Sequence, residues 1–169
     1  MWYVGMLFLV EFADWNGQTA IGYGCSSGNS KQNNGRTDSM QYHTGTTAAN
    51  RTTYGFTQYR NIEGWWDNVF DWMDGCYYNG NGLNIIKNPS QFSDSANGVN
   101  VGTLTSGYPS KFTVRSQAGF PVFVPSQSNG SDSTYSCDYW NFYSSNPCLY
   151  VGGDYYQYTS HGLCYVSYN

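Results

Sequence analysis

The chain carries little charge, and basic residues are the scarcest. Only 11% of its 169 residues are Asp, Glu, Lys or Arg, whereas about a quarter is usual in a globular domain. The formal net charge is −4, and no Lys or Arg occurs between Ser116 and Asn169. A nucleic-acid-binding domain needs a basic patch, so this composition argues against a nucleic-acid partner.

Long apolar runs are also missing. No run reaches the roughly 20 residues that a membrane-spanning helix needs, so we expect no membrane insertion. The apolar run Met1–Val10 lacks a basic segment and a cleavage site, and Glu11 follows it directly, so it does not fit a signal peptide. Met6, Val10 and Ala13 recur at helical spacing, which predicts a buried amphipathic helix over residues 2–14.

Closely spaced cysteine pairs are absent, and histidines are scarce. The five cysteines are scattered without a Cys-x-x-Cys pair, and His43 and His161 are the only histidines, so we expect no metal site. Free, mostly buried thiols are the simplest expectation, and they indicate assembly in a reducing compartment. The cysteines are Cys25, Cys76, Cys137, Cys148 and Cys164.

Aromatic and small polar residues are abundant instead. Apolar residues make up 40% of the chain and aromatic ones 19%, which is enough for the core of one domain. Ser, Thr, Asn, Gln, Tyr and Gly supply the polarity, a composition that suits turns and strand edges and argues against a helical bundle. We therefore expect one domain over residues 1–169.

The stretch from Tyr59 to Gly75 contains three of the six tryptophans. Its apolar residues fall on two neighbouring stripes of a helix, with polar residues opposite. This pattern predicts a buried helix over residues 62–74 around which strands pack. The residues of the two stripes are Trp65, Val69 and Trp72, and Trp66, Phe70 and Met73.

Turn signals divide the rest of the chain into short strands. Cys76–Tyr78 and Leu83–Ile86 flank Asn79–Gly82, which predicts a hairpin. Two prolines keep residues 120–125 extended and disfavour a central strand there. The other predicted strands are Thr52–Tyr54, Phe112–Arg115 and a terminal pair formed by Cys148–Val151 and Gly162–Val166.

The segment 133–169 contains eleven aromatic residues and no Ala, Ile, Met, Glu, Lys or Arg. Tyr interleaved with Ser, Asn and Gly is typical of binding loops, because Tyr gives rigid contact area and the small polar residues give adaptable hydrogen bonds. Tyr150 and Tyr165, inside apolar runs, read as ordinary strand residues. The predicted ligand-binding residues are Tyr139, Asn141, Phe142, Tyr143, Ser144, Asp154, Tyr155, Tyr156, Tyr158, Ser160 and His161.

Five segments together resemble a known family: Leu7–Ala13, Gln18–Gly22, Tyr59–Trp65, Asp67–Gly75 and the terminal Leu149–Val166. They are similar to the C-terminal C-type-lectin-fold domain of phage tail and prophage proteins diversified by retroelements, of the subtype similar to formylglycine-generating enzyme. Asn68-Val-Phe-Asp-Trp-Met73 resembles the Gly-Asn-Val-Trp-Glu-Trp signature of that fold, with Asp67 where the signature has Gly.

The resemblance implies an α+β C-type lectin fold, with helices 2–14 and 62–74 packed on a small, mostly antiparallel sheet with long loops. It implies a non-enzymatic receptor-binding module, the C-terminal part of a longer protein, at a phage tail tip or on a bacterial surface. A virion protein of this kind is made in the bacterial cytoplasm. Its partner would be a host-surface protein or glycan, and any homotrimer would form through segments upstream of Met1. The expected scaffold residues are Trp65, Trp66, Val69, Phe70, Trp72, Gly152 and Gly153.

In that family an error-prone reverse transcriptase substitutes at template adenines, which turns Asn codons into codons for residues such as Tyr, Asp, Ser, His or Phe. The tail at about 133–169 is rich in these residues, whereas Trp140 and Gln157 do not fit this route and are expected to be fixed. No cofactor is expected, and no acidic cluster has the ligand spacing of a Ca²⁺ site.

Two alternatives to a binding module remain. A structural virion subunit would use the aromatic tail only for packing. A formylglycine-generating enzyme would need a closely spaced copper-binding cysteine pair, whereas Cys137, Cys148 and Cys164 lie far apart in sequence. Asp138, Asp154 and His161 are the only acid–base candidates in the tail, and the sequence does not predict that they meet.

Overall fold

Short antiparallel strands and two helices make up the computed structural model, which describes residues 2–24, 31–66, 68–134, 136–142, 148–156 and 160–168. The predicted α+β class is confirmed. The elements are α1 (Trp2–Phe12), α2 (Gly17–Ala20), β1 (Gly45–Thr46), β2 (Thr57–Tyr59), β3 (Ile62–Glu63), β4 (Asp71–Asn79), β5 (Gly82–Ile85), a 3₁₀ turn (Pro89–Gln91), β6 (Val99–Gly102), β7 (Lys111–Arg115), β8 (Val122–Gln127), β9 (Cys148–Val151) and β10 (Val166–Tyr168).

The strands form three antiparallel sheets. The largest has five strands in the order β10-β9-β4-β5-β6, and the others are β1-β2-β3 and the pair β7-β8. The C-terminal strand β9 therefore lies beside the central strand β4, and β10 forms the edge of the sheet next to β9. Trp140 forms isolated β-bridges to Gly107, which follows β6, and to Val166, the first residue of β10.

Two hydrophobic clusters form the core. The larger one lies between the inner face of the five-stranded sheet and the β7-β8 pair, and it includes Leu83, Val101, Val124, Trp140 and Leu149. The smaller one packs α1 and α2 against the chain around β2 and β3; it comprises Phe8, Ala20, Ile21, Tyr59, Trp66 and Leu163. The tail contributes Leu149 and Val166 to the first cluster and Leu163 to the second, so it is part of the scaffold of both.

The N-terminal helix is confirmed, but it faces the other way from the prediction. Phe8 is 1% exposed and packs on Tyr59, with ring centroids 5.7 Å apart. The stripe predicted to be buried instead faces outward, since Val10 is 83% exposed and Met6 is also exposed. The helix is apolar almost all round, and the sequence pattern therefore could not identify the buried side.

The predicted helix over residues 62–74 is wrong. Asn61, Gly64 and Asn68 have φ of 64°, 68° and 70°, values in the left-handed region that a right-handed helix cannot contain. The chain instead forms β3 at Ile62–Glu63 and enters β4 at Asp71. The dense aromatic residues matched helical spacing, but pairing of β4 with β5 and β9 determines the structure.

The tryptophans of this segment consequently have different environments. Trp66 is 1% exposed and its indole N–H donates to the Gly22 carbonyl at 3.1 Å, so it is a core residue as predicted. Trp72 is 63% exposed, and Val69 is exposed too, which contradicts their predicted burial. In β4 the side chains alternate between faces, so Met73 packs inward and Trp72 points outward.

Several strand predictions are confirmed. Asn79 pairs with Gly82 at the end of the β4-β5 hairpin, and β7 and β9 lie where the sequence placed them. The partner of β9 begins at Val166 rather than Gly162. Thr52–Tyr54 is not a strand; it lies in the connection between β1 and β2. Pro125 is tolerated in β8 because that sheet has only two strands.

Four cysteines lie in the described part of the chain, and all four are free, as predicted. Cys76 and Cys137 are buried, and Cys148 and Cys164 are partly exposed. Burial raises the pKa of Cys76 to about 12, with a further rise from the charge of Asp74. Cys25 lies outside the described residues.

Candidate functional site

The predicted ligand-binding residues belong to two loops, residues 139–145 and 154–161, and the structure brings the described parts of these loops together. The Tyr139 N–H donates to the Ser160 carbonyl at 3.0 Å, and the Asn141 N–H donates to the Val166 carbonyl at 2.9 Å. The first loop thus runs beside the end of the second and beside β10. We call the described, at least partly exposed members of the two loops the tail surface: Tyr139, Asn141, Asp154, Tyr155, Tyr156 and Ser160.

Tyr156 is the most exposed aromatic residue of the tail surface. It is 61% exposed, and its ring contacts Tyr155 edge-on with centroids 5.4 Å apart. Asp154 Oδ1 accepts the Tyr156 N–H at 2.9 Å, which forms a local turn that holds this tyrosine at the surface. A large ring with this exposure is available for contact with another molecule.

Two glycines permit the chain to enter this turn. Gly152 and Gly153 have φ of 83° and 80°, where L side chains are strained. A Cβ on Gly153 would overlap the His161 ring, and one on Gly152 would lie 2.9 Å from the Trp65 carbonyl oxygen. These close approaches give both glycines the scaffold position predicted for them.

Tyr139 forms the other end of the tail surface and packs against Tyr108. Their rings meet edge-on, with centroids 4.9 Å apart. Burial raises the pKa of the Tyr108 hydroxyl, the negative charge of Asp132 adds to this rise, and a hydrogen bond with Ser160 opposes it. Tyr108 lies outside the aromatic-rich segment, and the composition of that segment therefore gave no sign of it.

Phe142 and His161 are core residues, and their predicted place on a ligand-binding surface is corrected. Phe142 packs against Tyr78 at 4.9 Å between centroids. His161 is fully buried, contacts Tyr165 edge-on at 3.9 Å, and its carbonyl accepts a hydrogen bond from the Gln18 side chain. Tyr143, Ser144 and Tyr158, which complete the predicted set, lie outside the described residues.

The buried polar groups of the tail have little access to a substrate. Burial lowers the pKa of His161 to about 3, so its imidazole is neutral near pH 7, and neither ring nitrogen has a hydrogen-bond partner in the described structure. Burial raises the pKa of Asp138 to about 7; this carboxyl accepts the Cys164 N–H at 2.7 Å and faces the Cys137 thiol at 3.4 Å. No hydrogen bond joins Asp138, Asp154 and His161 to one another.

The structure also exposes aromatic residues outside the tail surface. Phe70, Trp72 and Tyr150 lie together, with the Tyr150 ring 4.2 Å from Phe70 and 5.7 Å from Trp72 between centroids. The helical spacing of the sequence predicted that Phe70 and Trp72 lie in a buried helix, and it therefore gave no sign of this group. The cross-strand register of β4 and β9, which a single sequence does not specify, places Trp72 opposite Tyr150.

Among the residues that the structure describes, no three His, Cys, Asp or Glu side chains are arranged to hold a metal ion. The described helices are all too short or too polar to cross a bilayer. Comparisons of the chain with known protein families, with curated proteins and with solved structures found no match.

Proposed function

We propose that this chain is a ligand-binding module, with the tail surface as its recognition site. The observation that carries the proposal is the exposed Tyr156 with the partly buried Tyr155 beside it, on a turn between strands β9 and β10 of the largest sheet. Rigid aromatic rings beside small polar residues suit the recognition of varied partners. Tyr139, Asn141 and Ser160 would extend this contact.

The family resemblance supplies the biological setting of the proposal. It suggests a C-type lectin fold and a retroelement-diversified protein at a phage tail tip or on a bacterial surface, with a host-surface protein or glycan as partner. A tail whose backbone is fixed by Leu149, Leu163 and Val166 could accept substitutions at its exposed positions without loss of the fold. Upstream segments would provide any homotrimer.

A structural virion subunit is the second candidate function. It is favoured by the burial of Phe142, His161 and Tyr165, since these aromatic residues of the tail serve the core. A purely structural role, however, gives no reason for the exposure of Tyr156.

Flow cytometry with a panel of bacterial strains tests the proposal. The fluorescently labelled module should bind at least one strain saturably, and the Tyr155→Ser/Tyr156→Ser variant should bind that strain at least about tenfold more weakly, because aromatic anchors dominate such interfaces. A matched control, Val114→Ser, changes an exposed residue of β7 and should bind normally. Equal binding by the double variant would exclude this recognition site.

A further inference from the structure

A pocket of about 290 Å³ lies between the two helices, strand β1 and the chain segment that follows β1. Its volume is close to the lower end of the range for small-molecule sites. The pocket shares no lining residue with the tail surface. We call it the Arg51 pocket, with Phe12, Ala20 and Ile21 on its floor, Thr44 and Thr46 on its wall and Arg51 at its rim.

The floor of the Arg51 pocket is apolar. Ala20 and Ile21 are buried, and Phe12 is partly buried beside them. Phe12 also packs on Phe8, with ring centroids 4.7 Å apart, so the floor belongs to the smaller core cluster. Covering this floor with an apolar part of a ligand is favourable, because it removes apolar area from water.

The wall and the rim of the pocket offer hydrogen-bond donors. The side-chain oxygens of Thr44 and Thr46 each accept a backbone N–H, at 3.1 and 3.2 Å, so the hydrogen of each hydroxyl remains to be donated. Arg51 Nη1 donates to the Thr19 carbonyl at 3.2 Å, which holds the guanidinium beside the pocket. A guanidinium has several N–H donors, so others remain for a ligand.

The turn that carries Arg51 is held by its own contacts. Asn50 Oδ1 accepts both the N–H and the hydroxyl of Thr52, at 3.0 and 2.8 Å. At the base of the turn a Cβ on Gly55 would lie only 2.6 Å from the Ala48 nitrogen, so the two chain segments are in close contact. A pocket that is formed before its ligand arrives loses less conformational entropy on binding.

The charge at the pocket is positive, because Arg51 is the only charged residue among those that line it. Two carboxylates lie close to the lining residues in sequence but do not line the pocket. Glu11 forms an ion pair with Arg60 at 3.1 Å. Asp14 accepts the Thr19 hydroxyl at 2.9 Å. The guanidinium of Arg51 therefore remains to pair with an anion, and a carboxylate suits its planar geometry.

We propose that the Arg51 pocket binds a small organic acid, with the carboxylate at Arg51 and a short apolar chain on the floor. The guanidinium and the hydroxyl donors match the carboxylate, and the apolar floor matches the chain. An inorganic anion would leave the floor in water, and a neutral apolar molecule would make no use of the guanidinium. The inference goes beyond the proposed function, because it assigns a second site that does not depend on receptor recognition by the tail surface.

Titration of the ¹⁵N-labelled protein with the branched-chain acid isocaproate tests the inference. The backbone amide signals of Gly45, Ala48 and Ala49, which line the pocket, report binding there. We expect these signals to shift with millimolar affinity, because the ligand is small and its ion pair is exposed. Isocaproamide keeps the shape without the charge, and acetate keeps the charge without the chain. Each should bind at least about fivefold more weakly than isocaproate.

Two arginine variants test the role of the guanidinium. Arg51→Gln removes the charge and keeps a hydrogen-bonding side chain, and it should weaken isocaproate binding at the pocket signals at least about fivefold. The matched control Arg36→Gln changes another exposed arginine, outside the pocket, and should leave the affinity unchanged. The inference would be overturned by unshifted pocket signals at tens of millimolar isocaproate, by equal affinity for isocaproamide or acetate, or by unchanged affinity in Arg51→Gln.

Discussion

At the scale of single residues, neighbouring tryptophans of one segment have opposite roles. Trp66 fills the smaller core cluster, whereas Trp72 stands on the outer face of β4. Residue type does not distinguish them. The difference comes from the left-handed turn at Asn68 and from strand alternation after it, neither of which the helical spacing of the sequence indicated.

Alanine substitutions measure this difference directly. Trp66→Ala should lower the free energy of unfolding by about 3–5 kcal/mol, because it leaves a cavity in a packed core. Trp72→Ala should change it by no more than about 1 kcal/mol, because the side chain is mostly in water. Urea unfolding of both variants checks this, and a larger loss for Trp72→Ala would contradict the assignment of β4.

The buried carboxyl of Asp138 predicts a pH dependence of stability. Its pKa rises from 3.8 in the unfolded chain to about 7 in the fold, chiefly through burial, so the folded state binds this proton more tightly between those values. The group therefore stabilises the fold fully below about pH 4 and loses this contribution as the pH rises to about 7. His161, whose pKa is lowered to about 3, acts in the opposite direction.

Comparison with Asp138→Asn isolates the carboxyl, because His161 is present in both proteins. The free energy of unfolding of the wild type, minus that of Asp138→Asn, should fall by a few kcal/mol between about pH 4 and pH 7. Urea unfolding at several pH values measures this difference. A difference that does not change with pH would show that Asp138 is not a buried acid.

At the scale of elements, local signals predicted some structure and long-range pairing decided the rest. The Asn-Gly turn chemistry of the β4-β5 hairpin and the β-prone runs of β7 and β9 act locally, so the sequence identified them. The structure that residues 62–74 adopt depends on the pairing of β4 with β9, which lies far along the chain. The inner and outer sides of α1 depend likewise on Tyr59 and Trp66, which pack against it only in the folded state.

The orientation of α1 can be tested with two residues of similar character. Phe8→Ala should cost about 3–5 kcal/mol of stability, because Phe8 is 1% exposed and packs on Tyr59. Val10→Ala should cost less than about 0.5 kcal/mol, because Val10 is 83% exposed. Thermal unfolding of the two variants provides the comparison. A larger loss of stability for Val10→Ala than for Phe8→Ala would support the buried stripe predicted from the sequence.

At the scale of the whole molecule, the C-terminal tail combines a scaffold with a surface. Leu149, Leu163 and Val166 belong to the core clusters, whereas Tyr156 and its neighbours face solvent. Composition alone predicted an aromatic recognition loop but could not separate the buried Phe142 and His161 from the exposed tyrosines. That separation depends on which tail side chains are covered by the five-stranded sheet and by the Gln18 side chain in the folded protein.

If the tail surface binds a partner while the core beneath it holds the fold, stability and binding should depend on different residues, and parallel measurement of melting temperature and cell binding checks this separation. Leu149→Ala should lower stability by about 2–5 kcal/mol, because Leu149 is buried in the larger cluster. Tyr155→Ser/Tyr156→Ser should change stability by only about 0.5 kcal/mol per residue yet remove most of the binding. A double variant that unfolds, or that stays folded and binds as the wild type does, would contradict this separation.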